Sequence, residues 1–341
     1  MYRMKTIQNI CICGGGSLGL VCAGVFLSKG VKVSILTGHP ENWSKSIEVY
    51  DPDGKLYSGE LVDITSEPKE VIPSADMIFL TLPGYMIEKA LLSIKPWLRK
   101  DTVIGAVVAS TGFFFMAHDI LGKSYPLFGF QRVPFIARYR TYGQIGDLLG
   151  YKAKLNVAIE NCDRPEDLRV QLENLLGTPI TVLDSFYEVS LSNSNPILHT
   201  GRLYQMWKDY KGEVWSAPVL FYSQWTDEAS EYLIKMDGEF QSLLRKLGLK
   251  SDSIPPLLEY YESKDAASLT AKIRSIPAFR DIKAPMKEIE GEGWIPDFSS
   301  RYFTEDFPYG LRYIRDLARQ EGIETPAIDE VYEWGISRMM R

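Results

Sequence analysis

The chain has 341 residues, 45% hydrophobic and 24% charged, an ordinary globular composition with room for about two domains of about 150 residues each. Lys plus Arg number 38 against 44 Asp plus Glu, a net charge of −6 with no basic block. That excludes nucleic acid held through phosphate contacts and a membrane surface held through anionic headgroups. The four cysteines, Cys11, Cys13, Cys22 and Cys162, fit neither a zinc spacing nor a secreted disulfide ladder. They read as reduced thiols of a cytoplasmic protein, and no metal is expected.

Arg3 and Lys5 precede an apolar run over residues 10–27 that superficially resembles a signal peptide. Six glycines (Gly14, Gly15, Gly16, Gly19, Gly24 and Gly30) break or bound it, and no small-x-small cleavage pattern follows. No later segment offers about 18 unbroken apolar residues, so no transmembrane helix is expected. Residues 7–13 read as a buried strand, 17–29 as an apolar helix closed by Gly30, and 31–37 as a second strand. Residues 47–50 and 56–61 form a hairpin around Pro52-Asp53-Gly54. Strand 76–82, ended by Pro83-Gly84, helix 85–98 and strand 102–108 follow. Such alternation implies a parallel sheet covered by helices on both faces.

Residues 125–137 and 154–159 are further strands, 165–176 is a helix, and 180–183 is the last strand. Beyond residue 186 strand patterns nearly vanish: 191–207, 224–247, 256–262, 266–273 and 309–320 all read as helices. The fold class is α/β: a Rossmann-type doubly wound sheet over residues 1–187, then an all-helical domain over 188–341. A junction this tight predicts a ligand in the cleft between the two.

Gly14-Gly15-Gly16-Ser17-Leu18-Gly19 fits G-x-G-x-x-G, with a strand entering, a helix leaving and a second strand following. Gly14 permits the tight turn, Gly16 lets a pyrophosphate approach the backbone, and Gly19 lets helix and sheet pack closely. The pyrophosphate then lies at the helix N-terminus beside Ser17 and Leu18. An NAD-specific site usually carries an acid about 20 residues on. Here Thr37-Gly38-His39-Pro40 stands there and Glu41 comes four residues late, while residues 37–39 hold no arginine for a 2′-phosphate. The reading therefore favours NADP(H) only slightly over NAD(H). Thr81-Leu82-Pro83-Gly84 and Ala109-Ser110-Thr111-Gly112 follow strands at the edge where such sheets bind ligands, or are plain turns.

Three histidines occur. His39 falls in a loop, and His118 reads as capping or packing a helix. His199 ends Asn195-Pro196-Ile197-Leu198-His199, where Asn195 reads as an N-cap and Pro196 as the first helical residue. Four apart, Asn195 and His199 share a face, which position alone fits to a cleft-facing site or to plain packing. In Asp297-Phe298-Ser299-Ser300-Arg301-Tyr302-Phe303-Thr304-Glu305-Asp306-Phe307-Pro308, Arg301 and Asp306 converge only if the chain turns between them. Thr304 reads as capping a helix that starts at Glu305, with Asp306 ionised near its N-terminus. The bland reading is a helix-start acid beside a solvated arginine.

These pieces together resemble the opine dehydrogenases, the octopine/nopaline dehydrogenase family, over nearly the whole chain. The resemblance rests on Gly14 to Gly19, on Asn193-Ser194-Asn195-Pro196-x-x-His199, on Ser300-Arg301-Tyr302-x-x-Glu305-Asp306-x-Pro308-x-Gly310-Leu311, and on Gln131-Arg132-Val133-Pro134-Phe135. It implies a helical domain like the C-terminal one of 6-phosphogluconate dehydrogenase. It also implies an oxidoreductase that uses NAD(P)H to condense an amino acid's amine reductively with a 2-oxo acid such as pyruvate. His199 matches the family's catalytic histidine, Asp306 its acidic partner and Arg301 a carboxylate-binding arginine. Asn195, Ser110 and Gln131 join the substrate side; Thr37, Leu82 and Pro83 join the glycines on the cofactor side. Arg202, on the histidine's face, reads as a contact for a second carboxylate. The amino acid and the oxo acid are the expected partners, and a homodimer is compatible. The alternatives are a ketopantoate- or hydroxyacid-type reductase, against which stands the lack of any lysine between Lys154 and Lys208, and a non-catalytic dinucleotide-binding protein.

Overall fold

The computed structural model describes residues 5–110 and 112–340, so Arg3 of the leader-like start and Thr111 of the third strand-end turn lie outside it. The chain divides into two compact units, one ending at Ser192 and the other beginning at Asn193.

The first unit contains strands β1 (Asn9–Cys13), β2 (Lys32–Leu36), β3 (Ser46–Tyr50), β4 (Leu56–Glu60), β5 (Ile64–Thr65), β6 (Met77–Leu80), β7 (Val103–Val107), β8 (Leu127–Phe130), β9 (Phe135–Thr141), β10 (Ile145–Tyr151), β11 (Leu155–Glu160) and β12 (Ile180–Val182). Its helices are α1 (Ser17–Leu27), α2 (Pro68–Val71), α3 (Gly84–Ile94), α4 (Phe113–Leu121), α5 (Pro165–Leu176) and α6 (Phe186–Ser190). Eight strands form one sheet in the order β12-β11-β8-β7-β6-β1-β2-β5, parallel except between β11 and β8. The central strands β6 and β7 are buried at every residue, which is why they read as unbroken apolar runs.

A second sheet, β4-β3-β10-β9, packs on α1. Residues Gly19 to Phe26 of α1 are all buried, so the helix is apolar on every face. The leader-like stretch is thus a core strand followed by a core helix. Two readings are corrected here. Residues 125–137 are not one strand: β8 stops at Phe130, and Gln131 to Pro134 carry the chain into β9 of the other sheet. β10, with glycines at 146 and 150, escaped notice because they blur its alternation. The helix α6 belongs to the first unit, where Phe186 packs on Phe114 and Phe115.

The second unit contains α7 (Asn195–Trp207), α8 (Asp227–Lys246), α9 (Leu257–Tyr260), α10 (Ala266–Ser275), the hairpin β13 (Met286–Ile289) and β14 (Gly293–Pro296), then α11 (Arg301–Thr304), α12 (Arg312–Gln320) and α13 (Pro326–Met339). Thr226 caps α8 through the Ala229 N–H, and Asp265 closes a capping box with Ser268 on α10. Residues 309–320 are not one helix: a π-helical turn, Phe307–Leu311, precedes α12. Among the described residues no helix is long and apolar enough to cross a membrane, and no group of three His, Cys, Asp or Glu could hold a metal ion. All four cysteines are free thiols, with Cys11, Cys13 and Cys22 buried.

Candidate active site

In the first unit the chain leaves β1 and turns at Gly14, whose φ of +127° suits glycine alone. The Gly14 N–H donates to Leu36 O at 3.1 Å. From the end of β6, the Thr81 N–H donates to Cys13 O at 2.9 Å and its hydroxyl to Gly14 O at 3.2 Å. A Cβ on Gly19 would collide with the Gly14 carbonyl, so α1 approaches as only a glycine allows. Gly16 behaves oppositely. Its φ is −81°, and a Cβ built there meets nothing within 4 Å. That open space lies at the start of α1, where no side chain caps the helix and the first turn, opened by Ser17 and Leu18, holds no acid. Free N–H groups and the positive end of the helix dipole make it a place for an anion, and the loop fits a dinucleotide's pyrophosphate.

Thr37, nearly buried at the end of β2, donates its N–H to Thr65 O at 3.0 Å. Gly38 and His39 are exposed, and Glu41 Oε1 lies 3.3 Å from His39 Nδ1. A Cβ on Gly15 would come within 2.5 Å of Thr37 Oγ1 and 2.8 Å of Tyr142 Oη. Tyr142 therefore overhangs the glycine loop from the turn between β9 and β10. Leu82 and Pro83 are partly exposed just after β6, and Ser110 is buried just after β7. Gln131 is engaged inside the unit: its side chain accepts from Asn156 Nδ2 at 3.1 Å and reaches Glu188 O at 3.4 Å. That engagement accounts for Gln131 without a substrate. His118 packs on Phe186 and sets Nε2 2.7 Å from Glu160 Oε2.

In the second unit, His199 Nδ1 lies 2.8 Å from Asp306 Oδ2, and both side chains are mostly buried. A carboxylate only accepts hydrogen bonds, so the imidazole proton is on Nδ1. The two residues are 107 positions apart. Gly310 and Pro196 bring them together: a Cβ on Gly310 would overlap the Pro196 ring, so the π turn presses directly on the start of α7. The proline and glycine of the two sequence motifs thus form the contact that sets histidine against aspartate.

Sequence reading missed a further member. The Tyr222 hydroxyl is 2.8 Å from His199 Nε2, so both ring nitrogens are bonded. Burial pushes that hydroxyl well above the ordinary phenol range, with the neighbouring Tyr302, Tyr261 and Asp306 adding to the effect. Tyr222 therefore keeps its proton and donates it to Nε2. Tyr302 lies over the imidazole at 4.7 Å and Phe221 meets its edge at 5.6 Å. Nothing in the pattern around Tyr222 announces it, because it sits in an irregular loop ahead of α8.

Other expectations are corrected. Asn195 is not the cap of α7: Ser194 precedes the helix, and the Asn195 N–H bonds Asn193 Oδ1 at 3.2 Å. Arg202 is no carboxylate contact. It is buried, donating to Phe221 O at 3.2 Å and Gln224 O at 2.6 Å, and burial pulls its guanidinium down to about 10. It holds the loop that carries Tyr222. Thr304 caps nothing; its hydroxyl returns to Ser300 O at 3.3 Å, because Arg301–Thr304 is itself a helical turn. The Arg301 side chain is 82% exposed and pairs with Glu305 at 3.5 Å.

The chain is similar to known proteins in its helical domain and along nearly its whole length. Residues 182–339 match the family model for the alpha-helical domain of NAD/NADP octopine/nopaline dehydrogenase. The chain is 28% identical to opine dehydrogenase of Haliotis discus hannai, over 96% of this chain and 89% of that one. It is 27% identical to octopine dehydrogenase of Mizuhopecten yessoensis, over 96% and 88%. A solved octopine dehydrogenase with NADH and L-arginine superposes with a TM-score of 0.86 at 24% identity, covering 97% of this chain and 89% of that one, which shows the shared fold. The chain is thus similar to the NAD/NADP octopine/nopaline dehydrogenase family in its helical domain, and to opine and octopine dehydrogenases along nearly its whole length.

Proposed function

We propose that the protein is an NAD(P)H-dependent opine dehydrogenase, joining the amine of an amino acid to a 2-oxo acid and reducing the resulting imine. The observation that carries this reading is the Asp306–His199 pair, at 2.8 Å inside the unit that the family model matches. The amine adds to the oxo carbon, water leaves, and the C=N bond takes up a hydride and a proton. The bound nicotinamide supplies the hydride. Gly14, Gly16, Ser17, Leu18 and Gly19 cradle the dinucleotide's phosphates, with Thr37, Leu82 and Pro83 on its borders.

His199 exchanges the proton that these steps require. Asp306 fixes the Nδ1–H tautomer and stabilises the imidazolium when it forms. Arg301, exposed and held only by a long pair with Glu305, is free to take the oxo acid's carboxylate in a two-pronged grip. Asn195 opens the same helix as His199, and with Ser110 it completes the substrate side of this reading; Gln131 is a supporting residue. The missing acid at residues 37–39 removes a source of repulsion against a 2′-phosphate, so NADP(H) is taken at least as well as NAD(H).

The test is a matrix of amines against 2-oxo acids, following NADH and NADPH oxidation, with both cofactors titrated separately. Oxidation that needs both partners supports the reading. Oxidation with an oxo acid alone would make the protein a hydroxyacid-type reductase. A clear preference for NADH would reverse the cofactor assignment.

A further inference from the structure

Both nitrogens of the His199 ring are already bonded, Nδ1 to Asp306 and Nε2 to the Tyr222 hydroxyl, each at 2.8 Å. A histidine in that state has no atom left with which to meet a substrate. Either Tyr222 leaves, or the proton travels through it. The structure holds Tyr222 in place. Its ring stacks on Phe279 at 4.1 Å and lies parallel to Trp225 at 6.1 Å, and the residue is 5% exposed.

The loop beneath it is fixed from several sides. Arg202 binds the carbonyls of Phe221 and Gln224, Arg274 binds that of Trp225, and the Phe221 N–H donates to Ile282 O at 2.8 Å. Swinging the hydroxyl off Nε2 would break two aromatic stacks and leave a buried acceptor without its donor, which is costly. A neutral phenol can receive a proton on one lone pair while releasing its own, so it passes a proton on without changing charge.

We infer that the Tyr222 hydroxyl, and not the imidazole itself, is the group that delivers the proton, so that Asp306, His199 and Tyr222 act as one chain. The inference rests on the opine dehydrogenase reading. When water leaves the carbinolamine, the C–O bond breaks and the nitrogen lone pair closes the C=N bond. Nε2, unprotonated at rest, first gains a proton when the substrate ammonium is deprotonated through Tyr222 to the free amine. On dehydration the departing oxygen takes the Tyr222 proton, and Tyr222 takes that proton back from His199 Nε2. The tyrosine ends neutral as it began, the imidazolium becomes imidazole, and nothing is oxidised or reduced.

Tyr222→Phe in the full-length chain tests this, because phenylalanine keeps the stacks and removes only the hydroxyl. The expected result is a fall in kcat of at least about 100-fold, in the range of acid–base catalysis, with little change in either substrate's KM or in cofactor affinity. The loss should scarcely deepen when His199→Ala is added, as for residues acting as a unit. A kcat within about threefold of the parent, a shift far below that range, would overturn the proposal. So would a lower KM with kcat kept, the mark of a tyrosine that substrate displaces. A second readout needs no turnover. With three histidines in the chain, the 15N resonance of His199 Nε2 can be assigned, and it should move on Tyr222→Phe as its donor is lost. An unmoved resonance would overturn the proposal by removing the hydrogen bond itself. A parent protein inactive with every amine and oxo acid would strike the underlying reading instead, and the Nε2 resonance tells the two failures apart.

Discussion

In the first unit the proposed cofactor cradle is made of backbone: Gly14 to Gly19 lead into the uncapped start of α1, and a Cβ on Gly16 would meet only open space. In the second the proposed proton relay is made of side chains, His199, Tyr222 and Asp306, drawn from a helix, an irregular loop and the entry to a π turn. A backbone cradle binds a phosphate by shape and dipole, needs contiguous residues, and tolerates any neighbour that leaves space. A side-chain relay needs three groups at hydrogen-bond distance, so the whole helical unit must be packed before it exists. In this proposal binding and proton chemistry are built from separable parts, so that each should be removable while the other stands.

The largest expected effect is Gly16→Val. The backbone there is extended and a Cβ meets nothing, so the protein should fold normally and lose cofactor binding outright. Cofactor titration by fluorescence, alongside an unchanged circular dichroism spectrum, reads this, and retained affinity would break the cradle assignment. The complementary change, His199→Ala, should lower kcat by roughly 10²–10⁴-fold while cofactor affinity barely moves. Adding Asp306→Asn should cost little more, and additive losses would show that the two do not work together.

A smaller effect belongs to Arg301→Ala. Losing a charge-assisted bond worth about 1.5–3 kcal/mol should raise the oxo acid's KM by about 10- to 100-fold with the amine's KM little altered. An unchanged KM for the oxo acid would move the carboxylate contact elsewhere. The smallest concerns Asp76, which ties the approach to β1 to the start of β6 by accepting from Lys5, the N–H groups of Gln8 and Asn9, and Arg99. Burial disfavours its charge, but those donors outweigh burial and hold the carboxyl at about 2. A depressed carboxyl stabilises the fold above its unfolded value, about 3.9, and that contribution fades as pH falls through its folded value. Asp76→Asn should therefore destabilise the protein by about 1–3 kcal/mol at neutral pH in urea unfolding, with the gap to the parent closing toward acid. Kinetic constants should hold, since Asp76 stands at the other end of the strand from the Thr81 that pins the glycine loop; a changed cofactor affinity would show that the cradle is not independent of that edge.

The same contrast governs what could be read from the residues beforehand. Gly14 to Gly19 are consecutive, and a strand–loop–helix pattern around them is a local property, so the cradle was legible. The central strands were legible because burial on both faces makes them continuously apolar. His199 and Asp306 came from motif resemblance and not from periodicity, since nothing local says that Gly310 will meet Pro196. Tyr222 and Tyr142 were not legible at all: one stands in a loop, the other in the turn between β9 and β10, and each reaches its neighbour, His199 or Gly15, only through a tertiary contact. Arg202 misled because a face of a helix says where a side chain starts and not whether its end is buried. Ser194 displaced Asn195 at the head of α7 because helix-start preferences shift by one residue at little cost.

The helix α1, apolar all round, can be covered only when β9 and β10 have been made and folded back over it, more than 100 residues after it. Until then a growing chain would carry an exposed greasy segment beside a half-built sheet, a state prone to aggregation and slow to close because its contacts are so far apart along the chain. A fragment ending at residue 125 should accordingly bind hydrophobic dye and aggregate, whereas one ending at residue 192 should remain dispersed. Equal behaviour of the two fragments would mean that α1 finds cover elsewhere. The second sheet, whose β9–β10 turn sets Tyr142 against Gly15, is in this sense a delayed lid on α1.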